Sequence, residues 1–204
     1  MSLCDPPSIA ADRAPYACAV GDEQGSERSG ARVTTRAGDH GETSLFGPGR
    51  VRKTDPRITA LGDLDEAQAA LGVARAALDG ETNATVLELQ RGLYLAMSEV
   101  ATPAERLDRL PQRIDADAVA VIDALSSRLR NAAPVEGRFV IPGDTAPAAA
   151  LDLARTIVRR AERRVVALVD AGGTDGTHLL PWLNRLSDVV FLLARAADAA
   201  GTRD

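Results

Sequence analysis

Two stretches of this chain have the residue types and spacing to handle a polyanion. Arg155, Arg159 and Arg163 recur every four residues, so on a helix they stack as a column of guanidinium groups. Such a column must be paired with carboxylates or aimed at an anionic ligand such as a phosphate chain. Its plain alternative is a solvated face with Glu162 as a local partner. Far upstream, Gly38 and Gly41 bracket Asp39, and Thr43 and Ser44 follow with hydroxyls. Glycines let backbone N–H groups approach an anion closely, while Arg36, Lys53 and Arg57 could complete a phosphate cradle. The Gly-x-x-x-x-Gly-Lys spacing of a Walker loop is absent, and a Gly-Asp-x-Gly turn is compatible with an ordinary surface loop. Asn184 and Asp188, four apart, share one polar face with Arg185 nearby.

The Arg column needs a helix to carry it. Leu151, Ala154, Val158, Ala161, Val165 and Leu168 recur at steps of three and four, predicting one buried seam. Pro142 and Gly143 turn the chain into that helix after a short apolar run, and Gly172 to Gly176 break it afterwards. A last helix over about 177–200 has Trp182, Leu186, Val189, Leu193 and Ala196 as its stripe. Before the column, three further helices are predicted. The first runs from Ile58 to about Leu78 on Leu61, Leu64, Ala67, Leu71 and Ala74, with Pro56 at its approach and Gly80 ending it. Asp63, Asp65 and Glu66 are placed in its opening turns, as compensation for the helix dipole. The second covers 83–101 on Val86, Leu89, Leu93, Ala96 and Val100, capped by Thr82 or Asn83, with Arg91 and Glu99 as surface charges. A polar link over 103–114 leads to the third, over 115–131 with Val119, Ile122 and Leu129. Five helices joined by short links read as an all-α, antiparallel five-helix bundle preceded by a loop arm. Trp182 is expected in its core.

Composition closes several alternatives. Aromatics are 3% of the chain while alanine and leucine dominate, which favours close-packed helices over a β-sandwich. The net charge of −5 argues against general affinity for nucleic acid or an anionic membrane. No apolar run approaches a membrane span and no secretory leader is visible, so cytoplasm is the expected compartment. Cys4 and Cys18 both fall in residues 1–32, which lack any sustained period and read as a disordered tail before a domain over 33–200. His40 and His178 are the only histidines and neither sits in a Glu-x-x-His setting, so a di-iron bundle is excluded. A Cys/His zinc site is unsupported too, and no protein-held metal site is predicted.

Three separated motifs give the chain a family resemblance. They are Thr35-Arg-Ala-Gly-Asp-His-Gly-Glu-Thr43 with Lys53-Thr-Asp-Pro-Arg57, then Gly62-Asp-Leu-Asp-Glu66, then Phe139-Val-Ile-Pro-Gly143 with Ala154 to Arg163 and Leu183 to Asp188. In that order, across almost all of 34–198, the chain resembles the PduO-type ATP:cob(I)alamin adenosyltransferases. The resemblance implies a five-helix bundle that forms a homotrimer with active sites at subunit interfaces. It implies transfer of the 5′-deoxyadenosyl group of ATP to Co(I) of cob(I)alamin, with Mg²⁺ bridging the phosphates. Thr35, Arg36, Gly38, Asp39, Gly41, Thr43, Lys53, Arg159 and Asn184 match the family's ATP-contacting positions, with Glu162 a further candidate. Asp65 and Arg155 match a carboxylate–guanidinium pair that joins neighbouring subunits and helps close the site at the corrinoid. Phe139 matches the apolar residue that crowds the lower face of the corrin; its plain alternative is a core phenylalanine. A cobalamin reductase and an adenosylcobalamin-dependent enzyme are the implied partners.

The chain departs from the family pattern at His40, usually Asp or Lys; at Asp144, where a second Gly is common; and at Gln68, where an Asn is common. The segment from Pro103 is short, and the tail to Arg32 has no counterpart. These bear on corrinoid preference and affinity more than on fold. They motivate one alternative, a non-catalytic corrinoid carrier on the same bundle. A structural or nucleotide-sensing bundle is the third reading.

Overall fold

The computed structural model describes residues 36–132 and 139–201, so the expected tail over 1–32 and Thr35 lie outside the described residues. Five α-helices account for most of it: α1 Pro56–Ala76, α2 Gly80–Val100, α3 Ala116–Ala132, α4 Ala146–Asp170 and α5 Leu179–Gly201. A small antiparallel hairpin precedes them, β1 Glu42–Thr43 and β2 Val51–Arg52, with Glu42 opposite Arg52 and Thr43 opposite Val51.

Each helix start has a local cause. Asp55 caps α1 by accepting from the Arg57 N–H at 2.8 Å, and Pro56 takes the first helical position, where no N–H is needed. Thr145 caps α4 by accepting from the Ala148 N–H. Gly172, at φ 71°, ends α4: its N–H reaches Val169 O and the Gly173 N–H reaches Leu168 O, both at 2.8 Å.

α4 is the central element, packed between α1 and α5; α2 packs on α1 and α3 on α5. Side-chain pairs fix the directions. Arg160 meets Asp63 and Glu66 while Arg164, one turn later, meets only Asp63, so α1 and α4 are antiparallel. Arg195 meets Asp152 and Asp198 meets Thr145, so α4 and α5 are antiparallel as well. Glu81 at the start of α2 meets Arg128 near the end of α3, giving the same relation there. The helices therefore alternate, as the short links predict.

The predicted seam of α4 is buried throughout. Leu64, Leu71, Leu93, Leu151, Leu183 and Leu186 join Trp182 in the core. A Cβ on Gly92 would stand 2.2 Å from Trp182 Cζ2, so α2 carries its glycine where the indole lies against the backbone.

Several boundary expectations change. Gly80 opens α2 instead of ending α1, which stops at Ala76. Asn83 does not cap α2: its amide donates to Arg75 O and Leu78 O, both at 2.9 Å, and so closes the end of α1. Asp63 begins two turns inside α1, beyond reach of its dipole, and instead lies 3.4 Å from both Arg160 and Arg164. The link over 103–114 is not simply polar. It holds a short 3-10 helix, Ala104–Arg109, and buries Leu107 and Ile114.

Candidate functional site

The glycine loop is a built structure. Arg50 reaches back over it, donating to Ala37 O at 2.6 Å and Glu42 O at 3.0 Å, with the Glu42 carboxylate 3.5 Å away. Two successive turns shape the segment, Asp39 N–H to Arg36 O and Gly41 N–H to Gly38 O. Arg36 sits at φ 61°, a left-handed conformation uncommon for a non-glycine residue, and Gly41 follows at φ 76°. Lys53 closes the loop: its N–H donates to Gly41 O at 2.9 Å. Its ammonium lies so close to Gly38 that a Cβ there would stand 3.0 Å from Nζ. Glycine at 38 leaves the ammonium room to lie close over the backbone. Arg36, Asp39 and Lys53 are exposed, and Thr43 is half-buried on β1. The loop carries two exposed cations, Arg36 and Lys53, on a glycine turn, and cations beside glycine backbone are a means of holding phosphate oxygens.

Arg57 does not belong to that cradle. Its guanidinium donates to Val100 O at 2.7 Å, Thr102 O at 3.0 Å and Gly173 O at 2.5 Å. The start of α1, the end of α2 and the link before α5 are thereby tied at one point, beneath the loop. The loop is also anchored there, by Phe46 N–H to Ala101 O at 3.2 Å.

Glu99 is likewise not a surface charge. It is 1% exposed, accepts from the Ile114 N–H at 2.5 Å and lies 3.3 Å from Arg113 Nε. Burial pushes its carboxyl pKa up, against the lowering effect of Ile114 and Arg113. Arg113 continues to Asp175 at 3.1 Å. Asp175 accepts from both the hydroxyl and the backbone N–H of Thr177, which with Arg113 hold its pKa down to about 2. A Glu one residue before a helix end reads as exposed; the returning segment that covers it left no periodic signal.

The second half of the site is on α4 and α5. Arg159 and Arg163 are exposed, with Arg163 donating to Arg159 O at 2.9 Å. Glu162 is half-buried beside them. Burial raises its pKa, Arg159 and Arg163 oppose that, and Asp188 of α5 adds to it. Asn184 is exposed on the same helix as Asp188, four residues before it. Arg185 instead binds Asp123 of α3 at 2.6 Å. The column thus divides. Arg155 is drawn inward to Asp152, while Arg159 and Arg163 face solvent. Among the described residues, the hydrogen bonds of the 36–55 loop run to itself and to the helix ends beneath it, not to Arg159 or Asn184.

Asp65 is exposed on α1 and is not paired with Arg155 of its own chain, which lies 3.2 Å from Asp152. Phe139 is fully exposed and Ile141 is 86% exposed, so the core-phenylalanine alternative fails. Among the described residues no group of three His, Cys, Asp or Glu side chains could hold a metal ion. A divalent cation accompanying a nucleotide here would be held by phosphate oxygens and water, the usual manner of Mg²⁺.

Comparison with known proteins gives one consistent result. The profile of the cobalamin adenosyltransferase family matches residues 33–197. A corrinoid adenosyltransferase of Mycobacterium tuberculosis is 39% identical over 175 residues, covering 83% of this chain and 90% of that protein. The corrinoid adenosyltransferase PduO of Salmonella typhimurium is 38% identical over 168 residues, covering 82% of this chain and 50% of that longer protein. A solved variant of the PduO-type ATP:corrinoid adenosyltransferase from Lactobacillus reuteri, complexed with cobalamin and ATP, superposes with a TM-score of 0.76 at 29% identity. That match covers 84% of this chain and 93% of the other.

Proposed function

The chain belongs to the cobalamin adenosyltransferase family, and from that premise we propose how its own residues carry out adenosyl transfer. The reaction moves the 5′-deoxyadenosyl group of ATP onto cob(I)alamin. The Co(I) electron pair attacks the 5′ carbon, a Co–C bond forms, the C5′–O bond breaks, and triphosphate leaves with the bonding pair. The metal of the substrate is the nucleophile, so the protein needs no nucleophilic side chain. Its task is to bind, align and stabilise the charge that gathers on the leaving triphosphate.

The observation that carries this reading is the loop closed by Lys53 over Gly38 and held by Arg50, with the exposed cations Arg36 and Lys53 on it. Arg36, Gly38, Asp39, Gly41, Thr43 and Lys53, with Thr35 just before them, take the triphosphate. Arg159, Glu162 and Asn184 take the rest of ATP, with Mg²⁺ travelling on the phosphates. Among the described residues no hydrogen bond joins the loop to Arg159 or Asn184, which supports a site shared between neighbouring subunits of a homotrimer. Asp65, exposed here, then pairs with the partner subunit's Arg155 beside the corrinoid. Phe139 and Ile141, exposed at the entry to α4, offer the apolar surface that a corrin face and a neighbouring chain would cover. A reductase that delivers an electron to cob(II)alamin must act before this step, and an adenosylcobalamin-dependent enzyme after it. No helix among the described residues is long and apolar enough to cross a membrane.

The test is anaerobic absorbance of chemically reduced cob(I)alamin with protein, ATP and Mg²⁺. Loss of the cob(I)alamin band with growth of a light-sensitive adenosylcobalamin spectrum is expected. Binding of both ligands without that change would establish a carrier instead.

A further inference from the structure

Arg155 is assigned to the corrinoid side of the site, yet its side chain is long and flexible and needs something to aim it. The structure supplies a clamp that the sequence motifs do not include. Asp152, 5% exposed at its side chain, lies one turn before Arg155 and accepts from its Nε at 3.2 Å. A carboxylate this buried must be compensated, and its other oxygen receives Arg195 of α5. Arg195 is 11% exposed and is held in turn by Asp198 at 2.8 Å. Asp198 accepts from the Thr145 hydroxyl at 3.1 Å, and Thr145 is the cap of α4. Phe191 lies under both cations, with its ring centroid 5.8 Å from the Arg155 guanidinium carbon and 5.3 Å from that of Arg195.

We propose that Asp152, anchored by Arg195, is a positioning residue that aligns Arg155 for the partner subunit's Asp65 at the corrinoid site. The chemistry follows from which nitrogen is used. Asp152 takes Nε, the inner donor, which leaves the two terminal nitrogens as the fork that a second carboxylate accepts bidentately. Phe191 beneath the plane limits its rotation. The rotamer freedom of Arg155 is thus restricted within the free chain, before any partner or substrate arrives. The proposal rests on the reading that Arg155 acts at the shared site.

The experiment is steady-state adenosyl transfer from ATP to chemically reduced cob(I)alamin by the full chain, with wild type, Asp152→Asn, Arg155→Ala and the double variant. Asn keeps the shape and one acceptor oxygen but loses the charge. Asp152→Asn is expected to lower kcat/KM for the corrinoid about tenfold, as misalignment by a fraction of an ångström does, with KM for ATP unchanged. The double variant should be no worse than Arg155→Ala alone, because the two act through one group. An impaired Arg155→Ala beside a normal Asp152→Asn would overturn the clamp. Additive losses would show that Asp152 acts by another route. A normal Arg155→Ala would refute the role of Arg155 itself, and the proposal with it. Should Asp152→Asn fail to fold, Arg195→Lys loosens the same carboxylate from its other side. It should give a smaller loss confined to the corrinoid; an equal loss towards both substrates would refute the clamp.

Discussion

Arg57 offers a sharp test because sequence spacing places it in the phosphate cradle while the structure places it under the bundle. Its guanidinium donates to three main-chain carbonyls, Val100 O, Thr102 O and Gly173 O. Arg57→Ala removes all three bonds and leaves part-buried acceptors short of a partner. At ~1 kcal/mol for each, the loss is about 3 kcal/mol. For a domain of this size that lowers Tm by about 6–12 °C. Lys53→Ala makes the control. Its ammonium is exposed and lies over the glycine loop, so the substitution should leave Tm within about 2 °C and weaken ATP binding instead. Thermal melting by circular dichroism and nucleotide titration by calorimetry read the two effects separately. A small shift in Tm for Arg57→Ala, combined with a large loss of ATP affinity, would refute the reasoning and return Arg57 to the cradle.

Arg159→Ala should lose turnover by about 100-fold, the scale on which a donor to a developing anion acts, with an unchanged melting curve because the residue is exposed; retained turnover in the cob(I)alamin assay would remove its role. Gly92→Ala should destabilise by ~2 kcal/mol, since overpacking against Trp182 outweighs the gain in helix propensity; an unchanged or raised Tm would show that the indole can move. Glu99 has a raised folded pKa, so the folded chain holds its proton more tightly than the unfolded chain does. Stability should therefore fall as pH rises from about 4.5 through the raised value, then level off. Asp175 acts with the opposite sign: its lowered pKa gives stability that is present above about 3.8 and lost as pH falls towards 2. Denaturant midpoints across that range for wild type and Glu99→Gln would test the first slope, which the variant should lack.

Periodicity made the architecture legible where one face of a helix is buried. All six apolar seam positions of α4 lie in the core, as does Trp182, because a stripe at steps of three and four has only one way to be covered. Helix ends were less legible. Gly80 and Asn83 are residues that serve either end of a helix, and only the path of the chain shows that both belong to the junction between α1 and α2. Charges were legible by type but not by target. Arg57 and Glu99 are held by main-chain groups brought in by other segments, and Asp63 is ion-paired with arginines almost a hundred positions on, and no local pattern records such distances. The glycine loop, by contrast, carried its signal in its own residues, since Gly41 takes a left-handed backbone and Gly38 leaves room for the Lys53 side chain.

The five arginines of α4 show how little a residue's identity says about its tolerance of change. Within ten positions, Arg155 faces a buried carboxylate and an aromatic ring, Arg160 and Arg164 face Asp63 across the groove to α1, and Arg159 and Arg163 face water. Lysine carries the same charge without the planar fork. At 164 a point charge near Asp63 keeps most of the attraction, so exchange between the two residues is tolerated there, whereas at 160 the guanidinium reaches Asp63 through Nε and Glu66 through a terminal nitrogen, a division that a single ammonium does not reproduce. At 155 the ring and the directed Nε contact admit no such exchange. Position around the helix axis, read one hundred degrees at a time, thus decides which of five identical side chains tolerates exchange.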